Sequence, residues 1–84
     1  DVAEAKKWIE ANPEAWQFML DNARRLKEKG YVSINYLVNM VRNELHVGCK
    51  NGIAPALARI MEARYPELRG AFNKHRSQSD GFSE

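Results

Sequence analysis

Residues 33–72 read SINYLVNMVRNELHVGCKNGIAPALARIMEARYPELRGAF, and the punctuation of this stretch decides the fold. Ser33 is a preferred helix N-cap, and Val32 before it is placed to staple onto Leu37. Ile34, Leu37, Val38, Val41 and Leu45 recur at helical spacing. The run Gly48-Cys49-Lys50-Asn51-Gly52 then breaks the chain. A second helix follows over Pro55–Tyr65, with proline in its first turn and Ile53, Leu57, Ile60 and Met61 facing inward. Tyr65 precedes Pro66, which disfavours helical angles and ends that helix. Pro66-Glu67-Leu68 opens a short third helix, with Leu68 and Phe72 packing inward. Two helices joined by a glycine-containing turn in a basic segment predict a helix-turn-helix-like core.

The predicted helix from Ser33 to Val47, with Gly48 past its end, is apolar around most of its circumference, because Tyr36, Met40 and Val47 widen the stripe. A helix of that kind belongs in the middle of a bundle. Its polar remainder is a wedge of Asn35, Asn39, Arg42, Asn43 and His46. On the next helix, Ala56, Ala58, Arg59, Glu62 and Ala63 are expected outside, and Arg64 is expected on the inner side, snorkelling outward from the last turn.

Working towards the N-terminus, Asn12-Pro13 marks a boundary, with Asn12 as an N-cap and Pro13 at the first helical position. The helix after it runs to about Lys29. Trp16, Met19, Leu20, Ala23 and Leu26 form its core face, and Gly30 terminates it. Asp1–Ala11 reads as a shorter helix with Val2, Ala5, Trp8 and Ile9 along one side. The reading is therefore all-α: a compact bundle of four main helices plus a short C-terminal one. Residues 1–76 form one domain and 77–84 a polar, mobile tail. The expected core is Trp16, Leu20, Leu26, Leu37, Val41, Leu45, Leu57, Ile60 and Phe72.

Eighty-four residues make one domain with a modest core. The formal charge of +2 is not diagnostic, but its distribution is uneven. From Arg42 to Arg76, seven cations (Arg42, Lys50, Arg59, Arg64, Arg69, Lys74, Arg76) face three carboxylates (Glu44, Glu62, Glu67). A basic C-terminal half fits a polyanion, although a solvated face is the commoner origin of such a run. Cys49 is the only cysteine, which excludes an intrachain disulfide and points to a reducing cytoplasm. No apolar run reaches the ~20 residues of a membrane span. The charged start Asp-Val-Ala-Glu-Ala-Lys-Lys does not read as a signal peptide. The chain begins on Asp1 rather than Met, so native residues ahead of it are left open.

Over about residues 32–76 the chain resembles a family of small bacterial, phage and prophage proteins. The residues that carry the resemblance are the Ser33 cap, Asn51 in the turn, Ala58-Arg59 and Met61 on the following helix, Pro66-Glu67-Leu68, Phe72 and Arg76. The resemblance implies a phage-type accessory protein with helix-turn-helix-like topology. It assigns no activity.

Three surfaces are candidates for function. The first is DNA-binding: Lys50 and Asn51 at the turn, Arg59 on the helix towards a base edge, and Arg69, Lys74 and Arg76 on phosphates. Against it, a face rich in alanine is poor for reading bases, and Arg59 with Glu62 fits a local ion pair. The second is the wedge Asn35, Asn39, Arg42, Asn43 and His46, where asparagine is an unusual choice for an exposed helix. Capping or contacts with the N-terminal helices would explain it equally. The third is Phe18 with Asn22, Arg25 and Lys29, opposite the core face, which fits a host-protein contact or a dimer seam. Cover by the first helix is the simpler account. His46, Cys49 and His75 are too few for a zinc site, and no nucleophile stands beside a base, so neither cofactor nor catalysis is expected. The leading expectation is a DNA-binding accessory protein. The alternative is a module that binds a host protein, or a homodimer, without touching DNA.

Overall fold

A computed structural model describes residues 2–72, and these form an all-α bundle with no strand among them. The helices are α1 (Val2–Ala11), α2 (Pro13–Lys27), α3 (Ile34–Met40) and α4 (Ala54–Arg64). A π-helical turn, Val41–Leu45, extends α3, and 3-10 turns occupy Asn51–Ile53 and Pro66–Leu68. The expected tail 77–84 and residues Lys74, His75 and Arg76 lie outside the described residues.

Local chemistry places most boundaries. Pro13 opens α2, but Asn12 does not cap it. Its side-chain amide instead donates back to the Trp8 carbonyl at 3.0 Å, and its backbone N–H donates to the same oxygen at 2.9 Å. Asn12 therefore closes α1, its side chain adding a second bond to a carbonyl of the last turn. Ser33 does cap α3, its Oγ accepting from the Tyr36 N–H at 3.2 Å. Gly30 sits at φ 143°, a region that side chains avoid, and turns the chain into the Tyr31–Val32 connector. Val32 is buried, and its N–H donates to the Ala71 carbonyl at 2.7 Å, tying the connector to the C-terminal segment.

The central helix is α4, and not the helix opening at Ser33 as its composition suggested. Ala54, Ala56, Leu57, Ala58, Ile60 and Met61 are all buried, because α4 packs against both α1 and α3 and carries the Pro66–Leu68 turn at its end. Ala56 and Ala58, expected outside, are 5% and 9% exposed. Small side chains there let neighbouring helices approach closely, so Ala54, Ala56 and Ala58 mark burial, while Ala63 in the last turn is exposed as expected. By contrast α3 buries one stripe, Leu37, Val38 and Val41, and leaves Tyr36 53% exposed.

Leu45 is also displaced from the expected core, at 37% exposure. The cause is the π turn: its i→i+5 bonding widens the turn, so residues beyond Val41 fall behind the α-helical phase. The His46 N–H reaches the Val41 carbonyl, and His46 itself takes a left-handed conformation (φ 57°, ψ 35°). The helix thus ends at a histidine doing what glycine usually does, two residues before Gly48. Gly48 has no positive φ and nothing within 4 Å of an added Cβ. His46→Gly is therefore expected to stabilise by about 0.5–1 kcal/mol, relief of left-handed strain outweighing the entropy of glycine. Gly48→Ala should be tolerated or mildly stabilising. Thermal unfolding of the two variants checks both signs.

The core joins Trp16, Met19, Leu20, Leu37, Val38, Val41, Ile53, Leu57, Ile60, Met61 and Leu68, with Leu26 and Phe72 packed at its edge. The Pro66–Leu68 turn is strapped to α2 by polar bonds. Arg24 Nε donates to Glu67 Oε2 at 2.9 Å and Lys27 Nζ donates to the Glu67 carbonyl. Arg24 also lies 5.3 Å from the Tyr65 ring centroid, within cation–π range. A hydrogen bond with its own backbone, then the Arg24 bond, hold the Glu67 carboxyl below the ordinary glutamate pKa of 4.5. A lowered folded-state pKa contributes stability that is fully present above the ordinary value and lost as pH falls through the lowered one. The urea midpoints of wild type and Glu67→Gln should accordingly converge as pH is lowered from 6 to 3, and a constant gap would count against this strap.

Candidate nucleic-acid interface

The residues singled out in the sequence have different surroundings once folded. Arg42 is half-buried and engaged. Its Nε donates to the Cys49 carbonyl at 3.0 Å, its Nη2 to that same oxygen and to Asn51 Oδ1 at 3.2 Å, and its Nη1 to Asn39 Oδ1 at 3.4 Å. The guanidinium fork is suited to such convergent acceptors. It clamps the 46–50 loop onto α3, and it takes Arg42, Asn39 and Asn51 out of the expected reading surfaces. Asn35, Asn43 and His46 remain exposed.

Phe18 is half-buried and packs against the core rather than standing opposite it. Asn22 donates to the Phe18 carbonyl at 2.8 Å and accepts from Arg25 at 2.6 Å, so this trio is satisfied within α2. Cys49 is buried, and burial pushes its thiol pKa up against the opposing pull of Arg42. That is the environment of an inert thiol.

The Arg59–Glu62 ion pair that stood as the alternative to a DNA contact is not among the ion pairs of the described residues. Glu62 Oε2 accepts from the Gly70 N–H at 3.0 Å instead, which caps the C-terminal segment and leaves Arg59 without an acidic partner among the described residues. Arg59 rims a groove of about 340 Å³ between α1 and α4, floored by Val2, Ile60 and Ala63. Lys6 and Arg64 rim the same groove, and among the described residues no carboxylate lines it. Arg64 lies on the outer surface of the last turn of α4, where a cation also complements the helix dipole. The spacing of Val2 and Lys6 along α1 puts both on one side of that helix.

The other side of α1 faces a larger cleft of about 630 Å³, closed opposite by the 48–50 loop and Ile53. Trp8 Nε1 donates to the Gly48 carbonyl at 2.8 Å and so fixes the loop from that side. Lys7 and Lys50 stand on the lips with Glu4 as the one acidic lining residue. Lys50 meets Glu4 at 3.4 Å, but the two side chains are 81% and 49% exposed, so this pair contributes about 0–1 kcal/mol and yields easily.

Among the described residues, the cations at these grooves are Lys6, Lys7, Arg42, Lys50, Arg59 and Arg64, against the carboxylate of Glu4 alone. Glu10, one turn beyond Lys6, lines neither groove. The sequence marked Lys50, Arg59 and Arg42 but missed Lys6 and Lys7, because nothing in the linear order shows that α1 lies against α4. Arg69 is exposed on the Pro66–Leu68 end of the molecule, apart from both grooves. No helix among the described residues is long and apolar enough to cross a membrane. In comparison with known proteins, the chain matches no family model, no curated protein and no solved structure.

Proposed function

We propose that this protein is a small DNA-binding accessory module that grips phosphates with the face centred on α1, rather than inserting α4 into a groove. The observation that carries the reading is the set Lys6, Arg59 and Arg64: three cations from two helices around one groove that no carboxylate lines among the described residues. Cations held together without acidic partners raise the local positive potential and favour a polyanion. The burial of Ala56 and Ala58 argues against a recognition helix, so the proposed contacts position the protein without specifying sequence. The reading is of a binding module rather than an enzyme. The resemblance over residues 32–76 is in keeping with a phage-type protein acting in a host cytoplasm.

The test is a binding titration with a random-sequence 20-base-pair duplex at two salt concentrations. Affinity should fall steeply with salt, and each lost phosphate contact should flatten the log–log slope by about 0.9. Lys6→Ala, Arg59→Ala and Arg64→Ala together should weaken binding at least ~10-fold for every sequence alike. Arg25→Ala, on α2, should leave affinity unchanged. Absence of binding at low salt to duplex and single-stranded DNA alike would overturn the reading.

A second reading, a module for a host protein or a second copy, draws support from a different place than Phe18. Tyr36 on α3 and Leu45 on the π turn, 53% and 37% exposed, each leave apolar surface open to solvent. Loss of a protein partner on Tyr36→Ala, with DNA affinity unaltered, would favour it.

A further inference from the structure

We infer that the cleft beside Trp8 takes an unpaired nucleotide, so that the preferred ligand is single-stranded rather than duplex DNA. This rests on the DNA reading above and deepens it. The two grooves flank the same helix, one bearing only cations and the other pairing cations with an indole. A phosphate track needs charge alone, and duplex DNA offers little else to a non-specific binder. A cleft walled by Trp8, Ala11 and Ile53 has no use for a phosphate. It suits a flat, largely apolar group, and its volume of about 630 Å³ is that of a small-ligand site. Among the parts of DNA only an exposed base fits that description, and only an unpaired base is free to enter.

The lips match the rest of a nucleotide. Lys7 has no ionic partner among the described residues, and the Lys50–Glu4 contact is exposed and long at 3.4 Å. Both ammonium groups are thus available to the phosphates on either side of a base stacked in the cleft. Alternation of an aromatic platform with cations is the physical basis of sequence-tolerant single-strand binding. Trp8 is also preorganised for stacking: its Nε1–H is committed to the Gly48 carbonyl, which fixes the ring plane against the loop. The Lys6, Arg59 and Arg64 groove on the far side of α1 then continues the phosphate track.

The experiment compares dT12 with a mixed-sequence 12-base-pair duplex at low salt, by fluorescence anisotropy and by NMR of the indole Nε1–H signals. The chain has two tryptophans, and Trp16 is 6% exposed, so the two signals report separately on cleft and core. The expected result is tighter binding of dT12, with the Trp8 signal shifted at saturation and the Trp16 signal still. Trp8→Leu should weaken dT12 roughly 5- to 100-fold while leaving duplex affinity within about twofold. Trp8→Phe, which keeps a ring but not the bond to Gly48, should recover part of the loss. Lys7→Gln should weaken dT12 by about 2- to 5-fold without moving the melting temperature. Equal or tighter binding of the duplex, or an unshifted Trp8 signal at saturation with dT12, overturns this inference and leaves the DNA reading in place. Binding of neither strand form overturns both.

Discussion

Leu57→Ala is expected to destabilise the protein by about 3 kcal/mol, and Leu45→Ala by less than about 1 kcal/mol. Both are leucines at apparently inward helical positions, so sequence periodicity alone would equate them. Leu57 has no exposed surface and sits on the helix that α1 and α3 both cover. Truncating it leaves a cavity that three elements would have to collapse to fill, and the cavity adds to the lost transfer energy. Leu45 follows the π turn, is 37% exposed, and leaves no cavity when shortened. Urea unfolding of the two variants side by side is the measurement. Equal losses would mean that the chain continues α-helically through Leu45 and that the π turn is absent in solution.

Arg42→Ala carries the second large effect, about 2 kcal/mol, from hydrogen bonds between a charged donor and the Cys49 carbonyl. The figure is at the lower end for charged hydrogen bonds because the guanidinium keeps some contact with water. Arg42→Lys should recover less than half of the loss, since a single ammonium cannot reproduce the fork that meets Cys49, Asn39 and Asn51 together. A readout beyond stability separates the clamp from general destabilisation. Cys49 lies within the clamped loop, buried and with its thiol pKa raised, and should react slowly with a disulfide reagent in the wild type. In Arg42→Ala the thiol should react severalfold faster under conditions where the protein remains folded, while Leu57→Ala should show no such local acceleration. An unchanged thiol rate in Arg42→Ala would remove the loop-clamp role. The same variant bears on the single-strand proposal, because the 48–50 loop forms one wall of the Trp8 cleft.

Much of the architecture is legible residue by residue. Pro13, Ser33 and Pro66 act within one turn of themselves, and each marks an element boundary where local chemistry demands one. The apolar stripe of α2, from Ala15 through Ala23, is buried as its spacing requires. The all-α class needed only these short-range rules. They failed where one local signal had two uses. Asn12 fits an N-cap, but its side chain finds the Trp8 carbonyl behind it. Arg42 reads as a surface cation until the loop returns to offer it carbonyl oxygens.

By itself, then, the sequence determined the helical class, the number and approximate ends of the main helices, and most of the core, because capping, proline geometry and apolar periodicity depend on neighbours within a few residues. Only the tertiary structure decided that α4 and not α3 is central, since alanine is equally at home on an exposed face and at a close helix contact. It also decided which cations act together. Lys6 and Arg59 are far apart in the chain and meet across one groove only because α1 folds back along α4, and no property of either residue alone carries that information.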